Sequence, residues 1–353
     1  MGGAVTAVAD DIDALHYNPA GTGGFGKESK ARPFSRKVYF PHLGATANEN
    51  AKDLNSEIRL QNTQEDNTVC KAIVDAAAGK RQYGRGSVAL GLTFGRSALV
   101  PFYDNQVAAV SQGVDGAVDF RNRSLSGAAY GVSFMDVDGK IALGYSGWYA
   151  SGSETKGALS YGELLDPTLR KEGIKDGRRQ FSLLAHNVGG NIRLGKRASP
   201  TLSLVLRHIG DTKFEFSDDD EDSPTEDSSS PDEETDADQF PQDLTLGFSL
   251  APMTKVGRFV WTLEATRLTE SGTALYKKIR SGFEWSLGKG RDSYSVFSLR
   301  AGYNNAGSSY GVFLNLGLIG FEVSSEAVNI GRGNERFIER RQSATFIVNA
   351  AAM

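Results

Sequence analysis

The chain has 353 residues, 39% hydrophobic and 23% charged, with 41 glycines, one cysteine and four histidines. A single cysteine excludes a disulfide framework and a cysteine-based zinc cluster within the chain, and His16, His42, His186 and His208 are too scattered to read as a metal site. The longest uncharged stretch, Ala301 to Phe321, contains five glycines and several polar residues. That excludes membrane-spanning helices but not membrane-spanning strands, whose alternating faces average to near-neutral hydropathy. The formal charge of −4 hides an uneven distribution: residues 217–238 hold 12 acidic side chains and no basic one, leaving 31 acidic against 39 basic residues elsewhere.

Residues 1–26 carry no Lys or Arg and six glycines. They lack the basic segment and apolar run of a signal peptide, which fits either a protein that stays in the cytoplasm or the mature chain of an exported one. From about Lys37 the dominant period is two. Between Leu202 and Phe216 the even positions are mostly apolar (Leu202, Leu204, Leu206, Phe214, Phe216) and the odd ones mostly polar (Ser203, Arg207, Asp211, Lys213, Glu215). The pattern recurs around Leu244–Leu250, Phe259–Ala265, Ile279–Leu287, Phe297–Tyr303 and Ala344–Ala350, and more weakly at 37–47, 86–96, 126–135, 138–150 and 179–194. Residues 308–328 read as a hairpin turning near Ile319-Gly320. About fourteen strands result, with 98–122 the hardest stretch to divide.

Short joints (Asp136 to Gly139, Gly195 to Ser199, Gly288 to Asp292) alternate with long polar ones at 49–84, 152–178 and 217–242, as they do in barrels with short periplasmic turns and long outer loops. Asn67 to Ala78 carries Val69, Ile73, Val74 and Ala77 at helical spacing, a short helix within a loop. A soluble β-sandwich or lipocalin-like array also alternates. Strand units of 10–14 residues and charged side chains on the less apolar faces (Arg207, Arg258, Glu264, Lys278, Arg280, Glu284, Arg300) favour a large membrane barrel with a polar lumen.

The N-terminal run from Val5 to Gly21 includes Asp10, Asp11, Asp13, Tyr17 and the triplet Asn18-Pro19-Ala20. This "AVADDxxALxYNPAG" run resembles the start of the mature chain in the outer-membrane long-chain fatty-acid transporter superfamily, which includes FadL-like transporters and PorV-like proteins of type IX secretion. Segments 244–252, 280–288 and 298–329 resemble the closing strands of the same barrels. The chain ends Ala350-Ala351-Ala352-Met353 rather than on the aromatic residue that closes many outer-membrane proteins.

The resemblance implies an all-β transmembrane antiparallel barrel, residues 27–353, with residues 1–26 as a plug inside it. Asp10, Asp11, Asp13, Tyr17, Asn18, Pro19 and Ala20 are then the plug and gating residues, the aspartates facing lumenal Arg and Lys. It also implies passive uptake of hydrophobic, fatty-acid-like molecules through the lumen and a lateral opening. The alternatives are a PorV-like scaffold holding a partner protein or lipoprotein through its loops, and a structural or oligomeric barrel. Expected partners are outer-membrane lipids and lipopolysaccharide, a hydrophobic ligand, and another outer-membrane protein or lipoprotein, with no nucleic acid.

Other features carry less. Gly21 to Gly26 fits a GxGxxG string but lacks the strand before it and the helix after it that dinucleotide binding requires. Pro101 marks a strand kink of the kind that opens a wall in FadL-like proteins, or an ordinary strand end. The insert with Asp218, Asp219, Asp220, Glu221, Asp222, Asp232, Glu233 and Glu234 reads as a solvated loop for cations or a basic partner, without the spacing of an EF-hand. Cys70 reads as a buried thiol. Ser146 lacks the glycine spacing of a nucleophile elbow, so the expectation is a non-enzyme without metal or cofactor, in the bacterial outer membrane.

Overall fold

A backbone in hydrocarbon must satisfy its hydrogen bonds internally, which a sheet achieves only by closing on itself. In a computed structural model the chain does this with fourteen antiparallel strands. The structure describes residues 1, 3–9, 14–22, 36–51, 78–112, 116–136, 138–195, 198–217, 239–287, 296–316, 319–330 and 337–350. The strands are β1 (Arg36–Asn48), β2 (Arg81–Phe94), β3 (Ser97–Ser111), β4 (Ala117–Met135), β5 (Ile141–Ser160), β6 (Arg178–Arg193) and β7 (Thr201–Arg207). They continue with β8 (Asp243–Leu250), β9 (Gly257–Ala265), β10 (Ile279–Leu287), β11 (Phe297–Asn304), β12 (Gly307–Asn315), β13 (Ile319–Asn329) and β14 (Ile338–Ala350). Each pairs with its sequence neighbours, and β14 closes on β1 from Val38–Ala350 to Asn48–Arg341. No helix among the described residues is long and apolar enough to cross a membrane.

Side chains alternate across this wall. On β7 and β8, Leu202, Leu204 and Leu246 are exposed on the outside while Ser203, Val205, Thr245 and Ser249 are buried inside. Exposed Phe94, Phe134, Phe321 and Phe346 lie toward one rim, and exposed Tyr103, Tyr149, Tyr303 and Tyr310 toward the other, the two aromatic girdles of a membrane barrel. The first rim carries the tight turns, among them Gly95-Arg96 with Gly95 at φ +64°. The second carries the long connections 49–80, 161–177, 208–242 and 266–278. Inside, Arg300 bridges Glu284 (2.8 Å) on β10 and Glu322 (2.7 Å) on β13, and Arg207 meets Asp243 at 2.5 Å.

Four sequence expectations shift. The run 202–216 is not one strand: β7 stops at Arg207, and His208 (φ +53°), Gly210 (φ +80°) and Asp211 (φ +57°) turn the chain through left-handed backbone. Glu215–Ser217 then pairs with Gln180–Ser182 of β6, so Lys213 leaves the barrel wall. The stretch 152–178 is not all loop. β5 continues to Ser160, its polar residues Glu154 and Thr155 pairing with Arg123 and Asn122 above the apolar band, where no hydrophobic alternation marks a strand. Helices α1 (Tyr161–Leu165) and α2 (Pro167–Asp176), capped by Ser160 and Asp166, occupy only 161–176. Lys278 ends a short loop helix, Leu275–Lys278, rather than facing the lumen from a strand. The β12–β13 turn falls at 316–318. Asn67 to Cys70 and most of the helix expected there lie outside the described residues.

Leu204 tests the orientation of the wall. Leu204→Arg places a charge on the lipid face and is expected to lower barrel stability by about 2 kcal/mol or more, read as a shifted urea midpoint for folding into lipid vesicles. An unchanged midpoint would mean that this face does not meet lipid.

Candidate functional site

The N-terminal residues thread the lumen. Met1 and Gly3 lie against Gly282 and Arg280 of β10, and the Thr262 hydroxyl of β9 donates to the Ala4 carbonyl (2.8 Å). Thr6 N–H donates to the buried Glu264 carboxylate. Further along, Ser146 Oγ of β5 donates to the Leu15 carbonyl at 2.7 Å. Leu15 itself is fully buried against Ala98, Val100 and Ala129.

The Asn-Pro-Ala triplet owes its residue types to this setting. Asn18 caps the 3-10 turn Pro19–Gly21, its Oδ1 accepting from Ala20 N–H at 3.1 Å, with proline at the first position where a free N–H would be wasted. Its Nδ2 donates to the Thr6 carbonyl (2.9 Å) and to Asn191 Oδ1 on β6 (2.7 Å). The turn lies flush on the wall because the wall has no side chains there. A Cβ on Gly144 would sit 2.1 Å from the Pro19 carbonyl carbon, and one on Gly189 2.2 Å from Asn18 Oδ1. Sequence reasoning found Asn18, Pro19 and Ala20. It missed Gly144, Gly189, Asn191 and Ser146, whose only signal is small or amide residues on one strand face. Tyr17 is exposed at the edge of the segment. Asp10, Asp11 and Asp13 lie outside the described residues, as do Asp218, Asp219, Asp220, Glu221, Asp222, Asp232, Glu233 and Glu234 of the insert.

Above this contact the lumen becomes aromatic. Trp148 of β5 lies edge-on to His16 (6.2 Å between centroids), Phe102 (6.3 Å) and His208 (6.3 Å). Phe240 stacks on His208 at 5.2 Å and meets Phe214, which packs on Phe181 at 5.1 Å. These rings come from β3, β5, β6, the N-terminal segment and the turn after β7, and pack into one aromatic cluster with His16 exposed at its edge.

Toward the loop rim the lining turns basic. Arg81, Arg121 and Arg123, with Tyr83 and Gln106, surround a recess of about 80 Å³. It adjoins a groove of about 520 Å³ lined by Arg81, Asp119, Phe120, Arg121 and Lys156. Arg121 (2.6 Å) and Arg123 (3.1 Å) share Glu154, and Arg123 lies 4.7 Å above the Phe214 ring. Arg123 thus stands between the basic recess and the aromatic cluster.

The wall ladders are irregular along β1, against both β2 and β14, and at two further places. Pro101, which has no N–H to donate, sits within a continuous β3 whose ladder to β4 is complete; its ladder to β2 skips the two pairs between Ala89–Phe102 and Leu92–Leu99. Between β6 and β7 the break is longer. The ladder ends at Val188–Leu206 and resumes at Ser182–Glu215, with Ile209 N–H to the His186 carbonyl (3.0 Å) between.

Asn18→Asp turns two donated hydrogen bonds into oxygen–oxygen contacts, at a cost of about 2–3 kcal/mol to docking of the segment. Amide exchange over residues 14–22 should rise at least ten-fold while the strands stay protected; unchanged exchange would show that the Asn18 bonds do not hold the segment.

No family model and no curated protein matches the sequence. Among solved structures, the toluene transporter TbuX of Ralstonia pickettii is similar over 99% of this chain and 97% of its own, with a TM-score of 0.50 at 13% identity. The Pseudomonas putida toluene transporter TodX matches over 99% and 97% at 9% identity and a TM-score of 0.48. The similarity to TbuX shows a shared β-barrel fold.

Proposed function

We propose that this protein is a passive channel for hydrophobic small molecules in a bacterial outer membrane. The observation that carries the reading is the cluster of partly exposed lumenal rings around Trp148, an apolar surface for which a lumen that only conducted water or ions has no use. The names of the structural neighbours, toluene transporters and a monoaromatic hydrocarbon channel, support it. A ligand enters at the loop rim, rests against Trp148 and Phe102, and leaves through the wall between β6 and β7, where the longer ladder break lies nearest the rings. Residues 1–26 act as the plug that closes the route toward the periplasm.

The recess of Arg81, Arg121 and Arg123 narrows the ligand to an amphiphile. It offers charge-assisted bonds to one carboxylate while the chain occupies the rings, the arrangement a fatty-acid-like molecule fits. Holding a partner protein or lipoprotein through the loops is the alternative. It requires no aromatic cluster, so it predicts no sensitivity to Trp148.

Uptake of radiolabelled dodecanoate and toluene by cells expressing the barrel separates these readings. Trp148→Ala should slow both about ten-fold, the scale of one lost aromatic contact of ~1.4 kcal/mol. Arg81→Gln should slow dodecanoate alone. Uptake equal to cells without the barrel would overturn the channel reading, and equal sensitivity of both ligands to Arg81→Gln would overturn the carboxylate assignment.

A further inference from the structure

We infer that Asn187 links the N-terminal segment to the corner of the wall after β7, so that the two move together. The side chain is 1% exposed and lies in the middle of a one-way hydrogen-bond chain. His208 N–H donates to Asn187 Oδ1 at 3.1 Å, Asn187 Nδ2 donates to Ser146 Oγ at 3.2 Å, and Ser146 Oγ donates to the Leu15 carbonyl at 2.7 Å. Asn187 Nδ2 also points at that carbonyl, at 3.5 Å. Bonds aligned in one direction polarise one another, and shifting one end changes the geometry of all of them. A carboxamide carries an acceptor and a donor on one rigid plane, which is what this position uses.

The two ends of the chain are the mobile candidates of this region. At one end, Leu15 belongs to a segment attached to the wall by side-chain contacts rather than by a ladder. At the other, His208 and Asp211 hold left-handed backbone that non-glycine residues keep only when their surroundings impose it. Those surroundings include Asn187 on His208 N–H, the His186 carbonyl on Ile209 N–H, Gln242 on Gly210 and Asp211, the His208 carbonyl on Asp211 N–H, and Thr212 and Phe240 on the His208 ring. Each end also places an imidazole, His16 or His208, against the same Trp148 ring. A molecule seated on Trp148 therefore presses both ends at once, and Asn187 makes their responses one response. The link belongs to the fold; its use as a gate rests on the wall route proposed above.

Hydrogen exchange on the full chain in lipid nanodiscs, with Leu15→Ala, Asn187→Leu and the double variant, measures the link directly. Leu15→Ala removes packing against Ala98, Val100 and Ala129 and touches neither His208 nor Asn187 with the lost atoms. It should speed exchange at His208 and Ile209 at least three-fold in the otherwise native chain and add nothing once Asn187 is Leu. Ser146→Ala, which breaks the chain while keeping Asn187, should behave like Asn187→Leu and serves if that variant does not assemble. No change at 208–209 in Leu15→Ala, an equal increment in both backgrounds, or a rise that spreads to β12 would overturn the link. Dodecanoate uptake by the same variants reports on the route separately: a coupled corner with normal uptake in Asn187→Leu keeps the link and removes the gate.

Discussion

Everything in this structure follows from the need to leave no backbone hydrogen-bonding group facing lipid. The β14–β1 ladder closes the cylinder, and closure assigns each side chain to lipid or to lumen by its parity along a strand. Polar groups that would be ruinous outside are then cheap inside, where they find one another, as Arg300 does between Glu284 and Glu322. The same rule explains how a segment without a ladder of its own can lie inside. Its backbone is met by side chains of the wall: Thr262 and Ser146 donate to its carbonyls, Glu264 accepts from Thr6, and Asn18 bonds back to Thr6 and Asn191.

The lumen is divided as well. The half along β8 to β14 is polar and largely ion-paired, whereas the half along β3 to β6 gathers nearly every lumenal ring together with the basic recess above. An apolar cluster inside a polar cylinder is costly to hydrate and suits an apolar occupant. The wall beside that half is irregular between β6 and β7: β7 ends at Arg207, and the chain turns before Glu215–Ser217 pairs with Gln180–Ser182 of β6.

Fourteen strands and the two kinds of connection were legible because each rests on local sequence, period-two alternation and turn residues; attention fell on the Asn-Pro-Ala triplet through a resemblance, and its contacts with Asn191 and Gly189 lie far away in the chain. What escaped was set by distant contacts. The upper part of β5 is polar on both faces, so only its pairing with Arg121 and Arg123 marks it as a strand. The end of β7 at Arg207 was hidden because Phe214 and Phe216 continue the even-numbered apolar parity after the chain has turned. The cluster draws His16, Phe102, Trp148, Phe181, His208 and Phe240 from positions up to 224 residues apart, and nothing in their spacing brings them together. Gly144 and Gly189 look like ordinary strand glycines until Pro19 and Asn18 are found against them.

The central claim is that the aromatic cluster holds a hydrophobic ligand. The most direct measurement is anomalous diffraction from crystals of the barrel grown with 12-bromododecanoate, which locates the chain end without any assumption about transport. A bromine peak within about 4 Å of the Trp148 ring, van der Waals contact distance, is the predicted result. Bromine only in the lipid or detergent belt around the barrel, with none at the cluster, would contradict the account.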